Sequence, residues 1–403
     1  LLIHQAFAAL DEPGGTRHHE LARYLVEKGH RLTIIASPVS YLTGSSRTSR
    51  IPWVQRQEEE GLTLLRTYTY AALHRSFVHR IFSFLSFMVS SFTVGLTVSK
   101  VDVVWGTSPP IFQGATAWAL ARLKGARFLF EVRDLWPEFA VAVGVLKNSL
   151  LIRLSEWLER FLYRRADQVM VNSPGFIAHV TQRGARQVML IPNGADPRMF
   201  DPQLSGEAFR LQHGLEGKFV LMYAGAHGMS NDLGVVLEAA RRLAHRTDIV
   251  FVFLGDGKEK PGLVQQAADL GLQNVVFIPP VSKLDMPLAL AAADACIAIL
   301  KPIEAYKTTY PNKVFDYMAA GKPVVLAIEG VICEVVQSVQ AGLPVQPGNS
   351  QALAQAALAL ADDPQAAGRM GVRGRQYVET HFDRALLADQ LETLLRSLTG
   401  GRS

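Results

Sequence analysis

Short apolar runs alternate with helical patterns along the whole chain, and this alternation begins afresh near the middle. The first series opens with the apolar run 1–5, a glycine loop at 13–16 and a helical pattern over 18–28. The second opens with the apolar run 218–225, again followed by a glycine turn and a helical pattern. Strands that alternate with helices at this spacing form parallel βαβ units. The sequence therefore predicts two doubly wound α/β domains in tandem.

The chain length agrees with two domains, since 403 residues correspond to about two units of 100 to 200 residues. A turn-rich stretch over 192–217 separates the two series. We predict an N-terminal domain over 1–195, a C-terminal domain over 196–375, and a final helix over 376–403 that can pack back on the first domain. Ligands are expected in a cleft between the domains, outside the carboxyl ends of the strands.

The composition excludes several classes of protein. Hydrophobic residues make up 49% of the chain and charged residues 19%, which excludes a disordered or low-complexity chain. Only two cysteines occur, without CxxC or Cys/His spacing, so neither a disulfide framework nor a structural zinc site is expected. The basic residues are scattered among apolar helices without aromatic platforms, so we expect no nucleic-acid partner.

The net charge of +5 is unevenly distributed. Residues 1–200 hold 23 Lys and Arg against 15 Asp and Glu, whereas residues 201–403 hold 18 against 21. Basic residues of the first half can form a surface for anionic lipid and for a phosphate-linked acceptor, namely Arg66, Arg75, Arg80, Arg153, Arg160, Arg164 and Arg165. We therefore expect a cytoplasmic protein that is peripheral on the inner face of the cytoplasmic membrane.

An uncharged stretch over 81–98 allows three interpretations. It is short for a membrane span and contains seven Ser, Thr or Gly residues, so a core helix of the first domain is favoured. An interfacial helix is the second possibility, and a spanning helix the third. The apolar N-terminal opening is too short, and lacks the basic flank, for a secretory signal.

A glycine loop joins the first predicted strand to the first helix. It consists of Gly14, Gly15 and Thr16 and is followed by Arg17. Small residues at a helix N-terminus let backbone N–H groups approach an anion, and Arg17 adds a positive charge. A plain tight turn would use the same residues, so both interpretations stay open.

A charged segment over 131–138 follows another predicted strand of the first half. Arg133, Asp134 and Glu138 can bind sugar hydroxyls, orient an acceptor or accept its proton. The alternative is an Arg–Asp pair that only stabilises the end of the strand. Arginine cannot act as a base, because its pKa stays above about 12, so Arg133 is expected to hold phosphate or sugar.

The second half carries a glycine turn with Gly225 and His227 and a dense polar segment over 304–313. Lysines, hydroxyls and backbone amides at a helix N-terminus can hold a diphosphate, and a carboxylate one turn further on can bind a ribose diol. A charged loop without a ligand is the alternative. The candidate residues are Lys307, Thr308, Thr309, Tyr310, Asn312, Lys313 and Asp316.

Together these segments resemble the retaining family-4 glycosyltransferases of the GT-B fold over nearly the whole chain. The resemblance is carried by GGTRHHELARYLVEKGH, FEVRDLWPE, IPNGAD, YAGAHG and PNKVFDYMAAGKPVV. The second and the last of these are most similar to bacterial L-fucosamine transferase-like enzymes of surface-polysaccharide synthesis. The resemblance implies two Rossmann-like doubly wound domains that face a central cleft.

The resemblance also implies which substrate each domain holds. The second domain is expected to bind a nucleotide-diphosphate sugar, and the first an acceptor such as a lipid-linked saccharide. The family's paired glutamates fall at Thr308 and Asp316, so only the second carboxylate is retained. The basic pair that many members place after the second glycine turn is missing, which leaves more of the diphosphate binding to Lys313 and Lys307. The family's first-domain histidine falls at Arg133.

We therefore predict a retaining glycosyltransferase of cell-surface polysaccharide synthesis, with a donor that is expected to be a UDP-sugar. N-acetylated amino sugars and deoxy sugars are candidates for the transferred group. Arg133, Asp134 and Lys313 are the candidate catalytic residues, and no metal or cofactor is expected. A UDP-sugar 2-epimerase-like enzyme of the same fold and a non-catalytic nucleotide-sugar-binding protein are the alternatives.

Overall fold

The computed structural model describes residues 1–40, 44, 52–59, 61–71 and 77–400. Their contacts divide the chain into two units. Unit 1 comprises Leu1–Ala9, Gly14–Pro192 and Ala385–Ser403, and unit 2 comprises Leu10–Pro13 and Asn193–Arg384. The chain thus passes from unit 1 to unit 2 a few residues before the predicted boundary at 195.

Unit 1 is built on an eight-stranded sheet with the strand order β3-β4-β2-β1-β5-β6-β7-β8. Neighbouring strands are parallel except for the β3–β4 hairpin, which is antiparallel. The polar sequence VQRQEE of β3 carries no strand periodicity, and the sequence did not predict this edge strand. The strands are β1 (Leu2–Ile3), β2 (Leu32–Ala36), β3 (Val54–Glu59), β4 (Leu62–Thr67), β5 (Val103–Ser108), β6 (Arg127–Val132), β7 (Gln168–Val171) and β8 (Val188–Leu190).

Helices cover both faces of this sheet, because alternate side chains of its strands point to opposite sides. On one face Val104, Phe128 and Phe130 pack with buried residues of the crossover helices, and on the other Leu21 and Leu25 pack on Ile34. The helices are α1 (Arg17–Glu27), α2 (Phe77–Thr97), α3 (Phe112–Lys124), α4 (Glu138–Ala142), α5 (Ser149–Arg165) and α6 (Ile177–Gln182), with a 3-10 turn at Pro174–Phe176.

Helix α2 contains the uncharged stretch. By length and composition, residues 78–97 are the one helical segment in the described part of the chain that could cross a membrane. One side of α2 packs inside unit 1: Phe87 and Val94 belong to a core cluster, and Ser90 donates to the Tyr68 carbonyl at 2.6 Å. Residue Gly95 lies against Leu120 of α3, where a Cβ atom would come within 2.4 Å of Leu120. These contacts make α2 a packed helix of unit 1.

The predicted basic surface is only partly at the surface. Arg66 is buried and donates to the Ser37 carbonyl at 3.1 Å, so it cannot contact lipid, because it lies on β4 in the interior of unit 1. Arg75 lies outside the described residues. On α5, Arg153, Arg160, Arg164 and Arg165 are exposed.

Unit 2 is built on a six-stranded parallel sheet with the order β11-β10-β9-β12-β13-β14. This is the order 3-2-1-4-5-6 of a doubly wound fold, in which the chain reverses direction across the sheet between β9 and β12. The strands are β9 (Phe219–Ala224), β10 (Ile249–Leu254), β11 (Val275–Ile278), β12 (Ala295–Ile299), β13 (Val324–Ala327) and β14 (Gly342–Pro344).

The apolar strands of unit 2 are buried on both faces, as expected for a parallel sheet between two helical layers. The covering helices are α7 (Glu207–His213), α8 (Leu233–Arg242), α9 (Lys260–Asp269), α10 (Met286–Ala291), α11 (Asn312–Ala319), α12 (Val331–Val339), α13 (Ser350–Asp362) and α14 (Pro364–His381), with 3-10 turns at Pro197–Met199 and Glu304–Thr308.

The last helix, α15 (Arg384–Thr399), belongs to unit 1 from Ala385 onwards. Its residues Leu387 and Leu391 join Leu21 and Leu25 of α1 in one core cluster, and Glu392 contacts the His30 ring at 3.1 Å. The predicted start of the final helix at 376 is wrong, because residue 376 lies inside α14. Gly371 and Gly374 lie within α14 without ending it, so glycine near 376 did not mark the division at 384.

Candidate active site

In unit 1 several polar side chains meet at the carboxyl ends of β1, β5 and β6. The strand order reverses between β1 and β5, and ligands of doubly wound sheets bind outside the carboxyl ends at such a point. His4 directly follows β1, Thr107 lies near the end of β5, and Arg133 follows β6. The fold therefore gathers residues that are more than 100 positions apart in the chain.

Glu131 is the centre of a buried network at this edge. It is fully buried, and its carboxylate accepts from His18 Nε2 at 2.6 Å, Trp105 Nε1 at 3.1 Å and Arg17 Nε at 3.2 Å. Burial alone would raise the pKa of Glu131, but His18 and the two arginines Arg17 and Arg133 hold it at about 2. Burial lowers the pKa of His18, against the opposing effect of the Glu131 carboxylate.

Arg133 lies beside this network and contacts His4. Its Nη1 atom is 3.2 Å from His4 Nε2, and His4 Nδ1 is 2.8 Å from Thr107 Oγ1. Burial lowers the pKa of His4 well below its usual value. No carboxylate of the described chain lies within the 4.0 Å ion-pair distance of Arg133. Its charge is therefore available to an anionic ligand.

Asp134 and Glu138 follow Arg133 but differ in their surroundings. Burial raises the pKa of Asp134 to about 6, against the opposing effect of Arg133. A carboxyl group with this pKa can exchange a proton near neutral pH. Glu138 begins α4, and its Oε2 atom is 3.0 Å from His179 Nδ1. The roles predicted for both residues stay predictions.

The glycine loop of unit 1 presents exposed backbone at Gly14 and Gly15. Thr16 is buried, and its hydroxyl donates to Glu20 Oε1 at 2.6 Å. Arg17 is also buried and donates to the Ile191 and Pro192 carbonyls at 2.8 and 2.6 Å as well as to Glu131. The predicted anion contact of Arg17 is therefore wrong, because its guanidinium is held inside unit 1 by these acceptors.

In unit 2, Lys313 reaches the glycine turn that follows β9. Its Nζ atom donates to Tyr223 Oη at 2.6 Å and lies 3.9 Å from the centre of the Tyr223 ring. The described residues place no carboxylate within the 4.0 Å ion-pair distance of Nζ. Burial lowers the pKa of Lys313 to about 7. A nearby diphosphate would supply the missing negative charge and favour the protonated lysine.

Glycine is required at 225 by both backbone and space. Its φ angle is +144°, and a Cβ atom there would lie 2.9 Å from Lys313 Nζ. A Cβ atom at the neighbouring Gly255 would lie 1.9 Å from the Gly225 carbonyl oxygen. The two glycine turns after β9 and β10 therefore pack backbone on backbone, which leaves room for Lys313.

His227 does not line this edge as predicted. Its side chain is fully buried, with its ring 5.9 Å from Tyr223 and 6.3 Å from Phe253, and neither ring nitrogen has a hydrogen-bond partner among the described residues. Burial lowers the pKa of His227 to about 4, so the ring is neutral. The prediction that His227 binds substrate is wrong, because aromatic side chains enclose its ring.

Asp316 pairs with a lysine that the sequence did not single out. Its Oδ1 atom is 2.7 Å from Lys283 Nζ, and its Oδ2 atom accepts from Asn312 Nδ2 at 3.2 Å. Asn312 Oδ1 in turn accepts from Arg384 at 3.2 Å. A ribose diol would have to share Asp316 with Lys283, and the predicted roles of Asp316 and Asn312 stay predictions.

The remaining candidates of unit 2 have partners within the protein. Lys307 is half-exposed and pairs with Glu304 at 2.8 Å and Glu329 at 3.3 Å, so its charge is compensated. The other hydroxyl-bearing candidates bond mainly to their own backbone or pack in the core. Thr308 donates to the Ala305 carbonyl, Thr309 donates to the Tyr306 carbonyl, and Tyr310 packs between Phe315 and Phe382.

Sequence reasoning missed His4 and Lys283, and it included Glu131 in the charged segment and Tyr223 in the glycine turn without assigning either a role. His4, Glu131 and Tyr223 lie within or just after β1, β6 and β9, so their position at strand ends was the available signal. Lys283 lies in a loop after β11, and nothing in its neighbourhood distinguishes it. Among the described residues, no group of three or more His, Cys, Asp or Glu side chains is placed to hold a metal ion.

Comparison with known proteins identifies the family. Residues 14–194 match the family described as "Glycosyl transferase 4-like domain", and residues 218–363 match "Glycosyl transferases group 1". A relative from Escherichia coli (strain K12), "Putative colanic acid biosynthesis glycosyl transferase WcaI", is 26% identical over 83% of this chain and 85% of its own length.

Solved structures show the same fold. Sucrose-phosphate synthase from Thermosynechococcus elongatus has a TM-score of 0.78 at 20% identity and covers 99% of this chain and 98% of its own. Anabaena Alr3699/HepE, solved in complex with UDP-glucose, has a TM-score of 0.71 at 17% identity and covers 98% of both chains. The prediction of two Rossmann-like doubly wound domains is confirmed. Together with the two family matches, these findings show that the chain is a glycosyltransferase of family 4 with the GT-B fold.

Proposed function

We propose that this glycosyltransferase moves a sugar, with retention of configuration, from a UDP-linked donor to a lipid-linked or glycan acceptor in cell-surface polysaccharide synthesis. The name of the Escherichia coli relative supports the pathway class, and the UDP-glucose complex of the Anabaena protein supports the donor class. The observation that carries the proposal is Lys313, a half-buried cation beside the Gly225 turn that pairs with a hydroxyl and with no carboxylate of the described chain.

The charge that develops in the reaction explains why this observation matters. When the bond to the anomeric carbon breaks, negative charge grows on the β-phosphate of the leaving nucleoside diphosphate. A preorganised positive group at that position stabilises the transition state more than the ground state, which lowers the barrier. Lys313 is already in place against the turn and needs no rearrangement to act. It takes over the role of the basic pair that the sequence lacks.

The acceptor is assigned to unit 1. Arg133 has no carboxylate partner in the described chain and can hold a phosphate or a sugar of the acceptor. Asp134, whose pKa burial raises to about 6, follows it and can orient the attacking hydroxyl. In a retaining reaction on one face of the sugar, the departing phosphate takes the acceptor's proton. A protein nucleophile is then not needed, and we assign none.

A peripheral position on the inner face of the cytoplasmic membrane completes the proposal. A lipid-linked acceptor keeps its hydrophobic part in the bilayer, so the enzyme must work at the membrane surface. Unit 1 offers large apolar side chains that are more than half exposed, namely Val78, Phe82 and Val89 on α2 and Leu150, Leu154 and Trp157 on α5. Apolar side chains near basic residues are typical of interfacial helices.

The function is tested by incubating the purified chain with a panel of nucleotide sugars and a lipid extract of a polysaccharide-producing bacterium. We expect UDP release that depends on both one donor and the lipid, with the new linkage showing the anomeric configuration of the donor by NMR. Interconversion of a nucleotide sugar without lipid would instead establish an epimerase. Calorimetric binding of the donor without any transfer would establish a binding protein.

A further inference from the structure

A basic pocket lies at the C-terminal end of α5, away from the residues discussed so far. It has a volume of about 500 Å³, within the range of small-molecule sites. Its lining consists of two stacked aromatic residues and four arginines, namely Trp157, Phe161, Arg160, Arg164, Arg165 and Arg186. The Trp157 and Phe161 rings stack at 5.5 Å, and the Arg165 guanidinium lies 5.6 Å from the centre of the Phe161 ring.

The arginines of this pocket are poorly compensated by the protein itself. Of the four, only Arg160 has an ion pair in the described chain, with Glu156 at 3.4 Å. The other acidic residue of α5, Glu159, is fully buried and binds His179 and Arg183. Arg164 and Arg165 lie in the last turn of α5, where basic residues interact favourably with the helix dipole. Arg160 and Arg186 lie outside that turn, so the dipole does not account for their presence. The pocket therefore fits an anionic group.

The same helix exposes an apolar stripe that leads to the pocket. Leu150, Leu154 and Trp157 are 61%, 52% and 61% exposed and recur at the spacing of one helix face. Arg153 and Arg160 flank the stripe. An exposed apolar stripe bordered by arginines matches a bilayer interface, where apolar side chains enter the acyl region and arginines meet phosphates.

The position of the pocket in the sheet separates it from the acceptor residues. Helix α5 starts after the carboxyl end of β6 and ends just before β7 begins. Seventeen residues of helix span about 25 Å, so its last turn lies at the opposite edge of the sheet. Arg186 likewise precedes β8. The pocket is therefore separate from Arg133, which lies at the carboxyl edge.

We propose that the pocket between the end of α5 and Arg186 binds the phosphate of an anionic phospholipid headgroup and anchors the enzyme while the acceptor occupies the other edge of unit 1. The inference rests on the proposed function only in that the enzyme works at a membrane. The headgroup phosphate lies among the arginines, Trp157 packs against the headgroup, and the stripe towards Leu150 lies along the bilayer surface.

The test measures sedimentation of the full chain with vesicles of phosphatidylcholine alone or with one quarter phosphatidylglycerol. We expect binding to the anionic vesicles and about a fivefold weaker partition for each pocket arginine removed, hence about 30-fold for the double variant Arg164→Gln/Arg186→Gln. The matched control is Arg23→Gln/Arg31→Gln, which removes the same charge from exposed positions on α1 and before β2. Equal binding of both double variants would overturn the pocket assignment.

Two further measurements test whether the pocket binds something other than a phospholipid headgroup. If inorganic phosphate protects the chain from thermal unfolding to the same extent as a short-chain phosphatidylglycerol, the pocket is a free-anion site. That result would overturn the lipid assignment. A dimer in solution that only the pocket variant abolishes would show an interface between copies and overturn it as well. Stronger protection by the lipid, with a monomeric chain, supports the proposal.

Failure of the pocket and failure of the proposed function give different results. Donor-dependent UDP release with a detergent-solubilised acceptor should be the same in the pocket variant and the wild type. Vesicle binding through the pocket without any sugar transfer would refute the proposed function but not the proposed lipid site. Sugar transfer together with normal vesicle binding by the pocket variant would refute the proposed lipid site but not the proposed function.

Discussion

Both units have charged residues at the carboxyl edges of their sheets, but in the described part of the chain the charge is compensated by protein groups in unit 1 and not in unit 2. In unit 1 the carboxylate of Glu131 is surrounded by Arg17, His18 and Trp105, so the buried charge is satisfied from within. In unit 2 the ammonium of Lys313 contacts, among the described residues, the Tyr223 hydroxyl and ring and no carboxylate. A satisfied cluster stabilises the fold, whereas an uncompensated one is stabilised by a ligand of opposite charge.

This difference indicates which charged residues are candidates for ligand binding. Both clusters follow strand ends and both shift pKa values, so neither property distinguishes them. The distinguishing property is the count of protein partners, because a charge without a counter-ion lowers stability unless a ligand compensates it. By this criterion we propose Arg133 and Lys313 as binding residues, whereas Arg17 is held by acceptors inside unit 1.

The largest expected effect concerns the satisfied cluster. Replacing Glu131 by Ala leaves Arg17 buried without its carboxylate and should destabilise unit 1 by about 3–5 kcal/mol. All five tryptophans lie in unit 1, so urea unfolding followed by tryptophan fluorescence reports on this unit. The control Glu156→Ala, which breaks the surface contact with Arg160, should cost less than about 1 kcal/mol. Equal midpoints for both variants would contradict a stabilising role of the cluster.

The second prediction concerns the uncompensated cluster. Replacing Lys313 by Met keeps the length of the side chain but removes the charge, and kcat/KM for the donor should fall about 100- to 1000-fold. Lys218→Met is the matched control, because Lys218 precedes the same strand β9 at its other end and donates to the Thr247 carbonyl. Initial rates of UDP release measure both variants. A normal rate for Lys313→Met would refute the assigned role.

A third prediction disturbs the same cluster without removing the charge. In Gly225→Ala the new Cβ atom would lie 2.9 Å from Lys313 Nζ, at a φ of +144° that costs about 1–3 kcal/mol. We expect donor affinity, measured by calorimetry, to fall about tenfold. The control is Gly228→Ala in the same turn, where the nearest atom would lie 3.5 Å away. A loss of affinity in the control as large as in Gly225→Ala would mean that the whole turn is sensitive, not its contact with Lys313.

The smallest effect is a pH dependence of donor binding. Burial lowers the pKa of Lys313 to about 7, and a nucleotide sugar keeps its diphosphate charge around this pH. Donor affinity should therefore fall about tenfold between pH 6 and 8, as the lysine loses its proton. Stability should change in the opposite direction: above about pH 7 the unfolded chain binds more protons at this lysine, so its contribution to unfolding free energy rises with pH. The affinity change should be absent in Lys313→Met, and an unchanged slope there would assign the titration to another group.

The sequence predicted regular elements well because their signals are local. The helical pattern predicted over 18–28 agrees with α1, Arg17–Glu27, to within one residue at each end. The hairpin strand β3 was missed because its polar, exposed residues carry no hydrophobic alternation. The end of unit 2 was also misplaced, since α14 runs without interruption past 376.

The site was predictable in its location but not in its pairings. Strand ends and glycine turns pointed to Arg133, Gly225 and Lys313, which all lie at the carboxyl edges of the two sheets. Whether each charge has a partner was decided by residues far away in the chain. Glu131 binds a histidine 113 positions away, and Lys313 contacts a tyrosine 90 positions away.

By itself, the sequence determined that this protein has two parallel doubly wound sheets with polar residues at their carboxyl edges. Apolar periodicity and glycine turns depend on near neighbours in the chain, so they can be read without the fold. Only the tertiary structure decided which charges are compensated, enclosing Arg17 and His227 and leaving Lys313 without a counter-ion in the described chain. The physical reason is that burial and ion pairing depend on which strands become neighbours, and strand order is a property of the folded sheet.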